Sequence, residues 1–292
     1  MTINKQKARY LCEMQKLLYT LGLFTFVLFI SNSCQKPLPN GGKPFYIVVD
    51  SAKVQIDNPS VQGTSSSKLE QIWVEVGGND LGVYALPIKF PVLSNPGTYK
   101  ILIQPAIKNK GISAQRQIYP LLQSVYEDIT FDANTSTYVI HPVYRYQSSC
   151  NFEMNETFEF SNNFDANLDV INDSNSFEGT NSGMITLPPS SGKTTATNWL
   201  NIPVGSVAYL ELNYKTEVPF SVGLFSEESG NTTDIQLVVI DTKSYWNKMY
   251  IDITPEISNI NTGSYKFYFK SYNDDSTSTK KVFVDNFKVI YL

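Results

Sequence analysis

Few side chains of this sequence are spaced to do covalent chemistry. The one histidine, His141, precedes Pro142 in a β-rich stretch with no Ser or Cys motif beside it, so it reads as a satisfied strand histidine rather than a general base. Ser191-Gly192-Lys193-Thr194 ends like a phosphate-binding loop, but Leu187 stands where the earlier glycine belongs and no helix pattern follows. It is expected to be a plain loop. Asp165-Ala166-Asn167-Leu168-Asp169 opens like a calcium loop, then places Val170 where glycine is needed and Ser176 where the bidentate acid should stand; it reads as a polar turn or strand. One histidine and three cysteines cannot build a zinc site of short ligand spacing. No clustered acidic strand motif marks a glycosidase pair. No catalytic residue is therefore assigned, and the expectation is a protein that is not an enzyme.

What remains is non-covalent recognition, with aromatic residues as its agents. Sugar rings present apolar C–H faces that stack on Trp and Tyr, while amides and carboxylates satisfy the hydroxyls. Trp199, Tyr214, Trp246, Tyr268 and Tyr272 are the candidates for glycan contact. Tyr268 and Tyr272 share the polar face of one strand. Trp246 lies beside a strand start, where it could equally pack in a core.

The start of the chain decides where it works. Lys5, Lys7, Arg9 and Lys16 form a basic segment, and residues 17–30 are an almost uninterrupted apolar run, too short to span a bilayer but right for a signal peptide. Ser31-Asn32-Ser33 follows, and then Cys34. Small residues directly before a cysteine resemble the lipobox of bacterial lipoproteins, in which the thiol is lipidated and becomes the first residue of the mature chain. The resemblance implies a signal peptide at 1–33, lipidation at Cys34 and a membrane partner reached through acyl chains, two of which suffice for stable anchoring. Cys12 then leaves with the leader and Cys150 has no partner, so no intramolecular disulfide forms. Removing 1–33 takes away four bases and one acid, leaving 19 Lys+Arg against 26 Asp+Glu, a net charge of −7. A nucleic-acid partner is not expected of such a chain.

Alternation runs through the rest. Ile72, Val74 and Val76 share one face of a segment, as do Leu210, Leu212 and Tyr214, and Tyr265, Phe267 and Phe269 alternate with Lys266, Tyr268 and Lys270. A period of two means antiparallel sheet, and the fold class is all-β. Residues 34–43, with Pro37, Pro39, Gly41 and Gly42, read as a tether. Segments 72–76 and 81–86 flank Gly77-Gly78-Asn79-Asp80, a hairpin signal. About seven strands over 44–147 suit an immunoglobulin-like β-sandwich. The alternation lapses over 147–155, where few apolar side chains are expected to cross. Eight or more strands over 152–292 suit a jelly roll closed by the last strand.

Within this second domain, Phe158-Glu159, Glu178-Gly179-Thr180-Asn181-Ser182-Gly183, the segment 209–212, the segment 246–253 and Phe283-Val284-Asp285-Asn286-Phe287 resemble the carbohydrate-binding-module and galactose-binding-like jelly rolls. The whole chain is similar to cell-envelope lipoproteins of the Bacteroidota. The resemblance implies an outer-membrane, lipid-anchored protein, its leaflet left open, that binds glycan without catalysis. An accessory subunit of an outer-membrane protein assembly is the alternative, and a glycan-active enzyme a distant third. In many such jelly rolls a structural calcium pins the first strand to the last. Glu159 and Asp285 stand at the matching places, against the plainer reading of an exposed acid and a turn-forming Asp-Asn pair.

Overall fold

The computed structural model describes residues 44–292 apart from Ala133, Ser161, Ser174, Asn259 and Asn261; the leader at 1–33, Cys34 and the tether at 34–43 lie outside the described residues. Strands β1 (Phe45–Val49), β2 (Lys53–Val54), β3 (Gln71–Val76), β4 (Asn79–Ala85), β5 (Ile88–Val92), β6 (Gly97–Lys108), β7 (Arg116–Ile118), β8 (Val125–Phe131), β9 (Thr137–Val139) and β10 (Val143–Tyr144) make the first half. The alternation of β3 places Ile72, Val74 and Val76 inward, all buried. Gly77 and Gly78 both take positive φ, 55° and 81°, and Val76 stands opposite Asn79. The hairpin therefore closes through two residues, tighter than the four-residue turn suggested by 77–80, because two consecutive left-handed residues match the twist of the flanking strands. Sheet β4-β3-β6-β7, with β8 also on β6, and sheet β5-β1-β9 enclose one core in which Phe45, Ile47 and Val49 meet Ile72, Val74, Ile101 and Ile103. Phe45 stacks on Phe131 at 4.7 Å.

The second half contains β11 (Asn151–Glu156), β12 (Asp169–Ile171), β13 (Ser182–Leu187), β14 (Ser191–Ala196), β15 (Leu200–Asn201), β16 (Ala208–Thr216), β17 (Phe220–Glu228), β18 (Asn231–Ile240), β19 (Lys243–Asp252), β20 (Ser264–Asn273) and β21 (Lys280–Tyr291). They form a six-stranded sheet, β12-β13-β21-β16-β19 with β11 on β21, and a five-stranded sheet, β14-β20-β17-β18 with β15 on β20. Leu210 and Leu212 face Val222, Leu224, Phe267 and Phe269 across the core of this jelly-roll sandwich. The chain is all-β, as its periodicity predicts.

Two local readings change. Residues 191–194 are not a loop but the start of β14, paired along β20, because Thr194, Thr195 and Ala196 continue a regular ladder. His141 is exposed and lies between strands.

The last strand contains a register device. Val282 and Val284 face the core, and so do Phe287 and Val289, although an uninterrupted strand cannot bury both an even-numbered and an odd-numbered pair. The switch occurs at Asp285-Asn286, where Asn286 takes φ +47° and the pairing with β16 shifts. This is a β-bulge.

Strands β16 and β21, and the second half of β19, are buried on both faces. Tyr209, Tyr250 and Ile290, on the side of the six-stranded sheet away from its own core, belong to the hydrophobic cluster of the first sandwich. Apolar side chains thus cross between the halves, contrary to the expectation for 147–155. The serine-rich segment before β3 joins them: Ser66 Oγ donates to Asn213 Oδ1 at 3.0 Å, and the Lys68 amide donates to the Tyr250 hydroxyl at 2.9 Å.

Candidate functional site

The five-stranded sheet leaves one face uncovered, and β20 runs through its middle. With Tyr265, Phe267 and Phe269 turned into the core, Lys266, Tyr268, Lys270 and Tyr272 must point outward. From 266 to 272 this row is ~20 Å long at the rise of an extended strand. Trp199, in the segment joining β14 to β15, stands at one end, 37% exposed, with Lys266 Nζ 5.0 Å from its ring centroid. Tyr272, 59% exposed, stands at the other, beside a cleft of about 360 Å³ lined by Ser221, Val239, Lys270 and Asp274. Thr194 and Ser221 flank Lys270 on the neighbouring strands.

Tyr268 lies between these ends but offers no free ring. A Cβ at Gly223, its cross-strand partner, would come within 2.1 Å of the Tyr268 ring, so the ring lies flat where that side chain is missing. Phe225 packs on it at 4.7 Å, its hydroxyl donates to Asp234 Oδ1 at 2.7 Å, and it is 2% exposed. Burial and Asp234 together push that hydroxyl above its usual range. The expected glycan role of Tyr268 is therefore corrected to that of a floor. The stacking role of Tyr214 is corrected as well: its ring is in the core against Phe220, as its alternation with Leu210 and Leu212 requires, and only its hydroxyl reaches out, accepting from Asn247 Nδ2 at 2.6 Å. Trp246 lies on the other sheet, half-buried between Phe177 and Phe283, with Nε1 donating to the Asn175 carbonyl at 3.0 Å. The structure thus brings Trp199 and Tyr272 to one open face and separates Tyr214 and Trp246 from it. Lys266, Lys270 and Phe225 join that face; their outward period on two strands was the signal that could have found them.

The opposite sheet carries a buried ionic cluster. Glu211 Oε1 accepts from the hydroxyls of Tyr119 and Tyr146 at 2.7 and 2.8 Å, and Oε2 lies 2.8 Å from Lys248 Nζ. Lys288 Nζ donates to the Thr64 carbonyl at 3.0 Å. Burial alone would raise the Glu211 carboxyl, but Lys248 and Lys288 outweigh it and hold the acid down at about 2. Burial lowers Lys288 to about 8, partly offset by Glu211. Such a cluster ties the two sandwiches together in one geometry. Its charges are almost wholly buried, with Lys248 at the inner wall of a cleft.

Glu159 and Asp285 are near enough for the charge of one to act on the other. Glu159 lies beyond β11 in the following turn, where its carboxylate accepts from the Thr180 amide and hydroxyl and from the Asn181 amide at 2.8–2.9 Å. Burial would raise it, but these donors hold it below the usual range. Gly179 takes φ +69°, a conformation that favours glycine, and a Cβ there would push the Glu159 carboxylate off these donors. Asp285 accepts from the amides of Asn286, Phe177 and Glu178, the last two at 3.3 Å, and burial pushes it up to about 7. Calcium wants six to eight oxygens. Here N–H groups serve both carboxylates, and among the described residues no group of three or more His, Cys, Asp or Glu is placed to hold a metal. The pair does not present a calcium shell. The Asp165 turn is likewise satisfied internally, by Asn167, Thr195 and Ala196.

No protein-family model matches the sequence, and no curated protein matches it. Among solved structures, a xylan-binding domain of carbohydrate-binding module family 22 is 13% identical, covering 50% of this chain and 97% of its own, with a TM-score of 0.36. The family 11 carbohydrate-binding module of a cellulosomal cellulase from Clostridium thermocellum is 14% identical, covering 50% and 97%, with a TM-score of 0.35. An arabinose-bound α-L-arabinofuranosidase is 12% identical, covering 48% of this chain and 27% of its own, also at 0.35. At such identities and scores, what this chain binds has to be read from its own side chains.

Proposed function

We propose that the protein is a non-enzymatic glycan-binding module, held at the outer membrane through lipid on Cys34, that reads an extended saccharide along the open face of its five-stranded sheet. The observation that carries this reading is the row on β20: two exposed aromatic rings, Trp199 and Tyr272, stand at its ends, with Lys266, Lys270, Thr194 and Ser221 between them. Aromatic ends supply stacking surfaces for C–H faces, and the ammonium and hydroxyl groups between supply directional contacts to ring substituents. A flat face open along its length suits a chain-like ligand better than a free monosaccharide. The row itself carries no acid; of the acids beside it, Asp234 is engaged by Tyr268 and Asp274 lines the cleft next to Tyr272.

The test is a glycan array probed with the full chain and with a Trp199→Ala/Tyr272→Ala variant. Glycan binding lost in the variant supports the reading. A silent array alongside a co-purifying envelope protein supports the accessory-subunit reading instead. The anchor is tested separately by mass spectrometry of the N-terminal peptide from membrane fractions. Acyl mass on Cys34 supports it, and an unmodified thiol refutes it.

A further inference from the structure

A second recessed site lies where the two sandwiches meet, sharing Val239 with the cleft beside Tyr272. It is a cleft of about 420 Å³, within the range of small-ligand sites, formed by the end of β6, the start of β3 and the edge of β18 and β19. Five lysines line it: Lys68, Lys108, Lys110, Lys243 and Lys248. On a chain whose net charge is negative this concentration of cations stands apart. The acids within reach do not balance them. Glu70 is shared by Lys108 at 3.0 Å and Lys68 at 3.6 Å, Glu256 holds Lys110 at 2.8 Å, and Glu211 serves both Lys248 and Lys288. Asp241 is the remaining acid on the wall.

Two buried polar atoms in the lining have bonding capacity to spare. Lys248 Nζ is paired with Glu211 Oε2 at 2.8 Å, and an ammonium has three donors, so protons remain for an acceptor in the cleft that this residue lines. Gln71 Oε1, in a residue 2% exposed, has no donor. These needs differ in kind. An ammonium wants an anionic acceptor, whereas an amide oxygen wants an O–H or N–H donor. Inorganic phosphate in its fully ionised form or sulfate could answer the first and not the second. A ligand carrying both a carboxylate and hydroxyls answers both.

From this geometry we infer that the interdomain cleft binds an acidic saccharide, a uronic-acid-bearing sugar whose carboxylate faces the lysines and whose hydroxyls reach Gln71 and the polar chain of Lys68 Nζ, Asn247 and the Tyr214 hydroxyl. In that chain Lys68 donates to Asn247 at 2.6 Å and Asn247 donates to Tyr214 at 2.6 Å. Its lysines and its amide and hydroxyl contacts are not those of the β20 row.

Isothermal titration of the full chain with a short oligogalacturonate, a neutral oligogalactose of the same length and sulfate tests it. The uronate is expected to bind, at least tenfold more tightly than the neutral oligomer or sulfate, and to weaken about tenfold in Lys243→Gln, a partly exposed position at a strand start whose change leaves the melting temperature in place. Tyr272→Ala should leave uronate binding unchanged, so failure here is distinct from failure of the β20 reading. Absence of uronate binding, equal binding of the neutral oligomer or of sulfate, or indifference to both Lys243→Gln and Lys108→Gln would overturn the inference.

Discussion

The two sheets of the second sandwich differ in what covers their outer faces. On the six-stranded sheet, Tyr209, Glu211, Asn213, Lys248, Tyr250, Lys288 and Ile290 are all buried beneath the first sandwich or the segment leading into β3. On the five-stranded sheet, Lys270 and Tyr272 stand in solvent and Trp199 is partly open. Both faces carry lysine and tyrosine at alternate positions, yet one has become an interior and the other a surface. Residue type alone does not fix the role. Coverage does, by converting charges that are cheap in water into groups that must be paired.

The difference predicts unequal costs of substitution. The largest belongs to the covered face. Glu211→Leu leaves Lys248 and Lys288 buried without their anion and two tyrosine hydroxyls without an acceptor, so a loss of about 3–5 kcal/mol is expected in denaturant unfolding. The pH dependence has a definite sign. Because the folded carboxyl is depressed to about 2, its contribution is complete above the ordinary carboxylate value and disappears as pH falls from about 4 toward 2. A variant with stability equal to wild type would show that the cluster is dispensable.

Asp285 behaves in the opposite sense. Its folded carboxyl is raised to about 7, so the native state holds a proton that the unfolded chain has released, and stability should fall by up to about 4 kcal/mol as pH rises from about 4 to 7. Asp285→Asn should flatten that slope. Chelator should leave the melting temperature unchanged, since N–H donors rather than an ion serve this carboxylate. A fall in melting temperature on adding chelator, abolished in Asp285→Asn, would restore calcium as the partner of Glu159 and Asp285.

A smaller effect is expected at Gly223, where alanine would collide with the Tyr268 ring and cost about 1–3 kcal/mol by overpacking. Lifting that ring also roughens the open face, so glycan affinity should fall with it. Retained stability together with retained affinity in Gly223→Ala would show that the floor is not needed.

Period-two patterning made much of this legible. Ile72, Val74 and Val76, Leu210 and Leu212, and Phe267 and Phe269 all face cores as their alternation requires. The ring of Tyr214 was legible too, since it continues the Leu210–Leu212 stripe into the core, whereas the outward reach of its hydroxyl to Asn247 was not. What alternation could not reveal was which outer face is covered. Yet the covered strands carry a trace of it. Glu211 sits between Leu210 and Leu212, Lys288 between Phe287 and Val289, and Lys248 before Met249 and Tyr250, isolated charges inside segments apolar enough for two-sided burial. Their partners, Tyr119, Tyr146 and Thr64, are distant in sequence, so the pairing emerges only when the sandwiches meet. The Asp285-Asn286 bulge was written as a parity break between Val284 and Phe287, a signal that strand alternation contains once it is counted.

The central claim is that the uncovered face of the five-stranded sheet reads glycan. It is tested most directly by titrating a saccharide selected on the array into wild type and into Trp199→Ala/Tyr272→Ala, with melting temperatures recorded beside the binding curves. Both rings are exposed, so the double variant should melt as wild type does while losing about tenfold or more in affinity, since each ring's stacking is worth on the order of 0.5–1.5 kcal/mol beyond its buried area. Unchanged affinity in a folded double variant would place the glycan elsewhere and contradict the account.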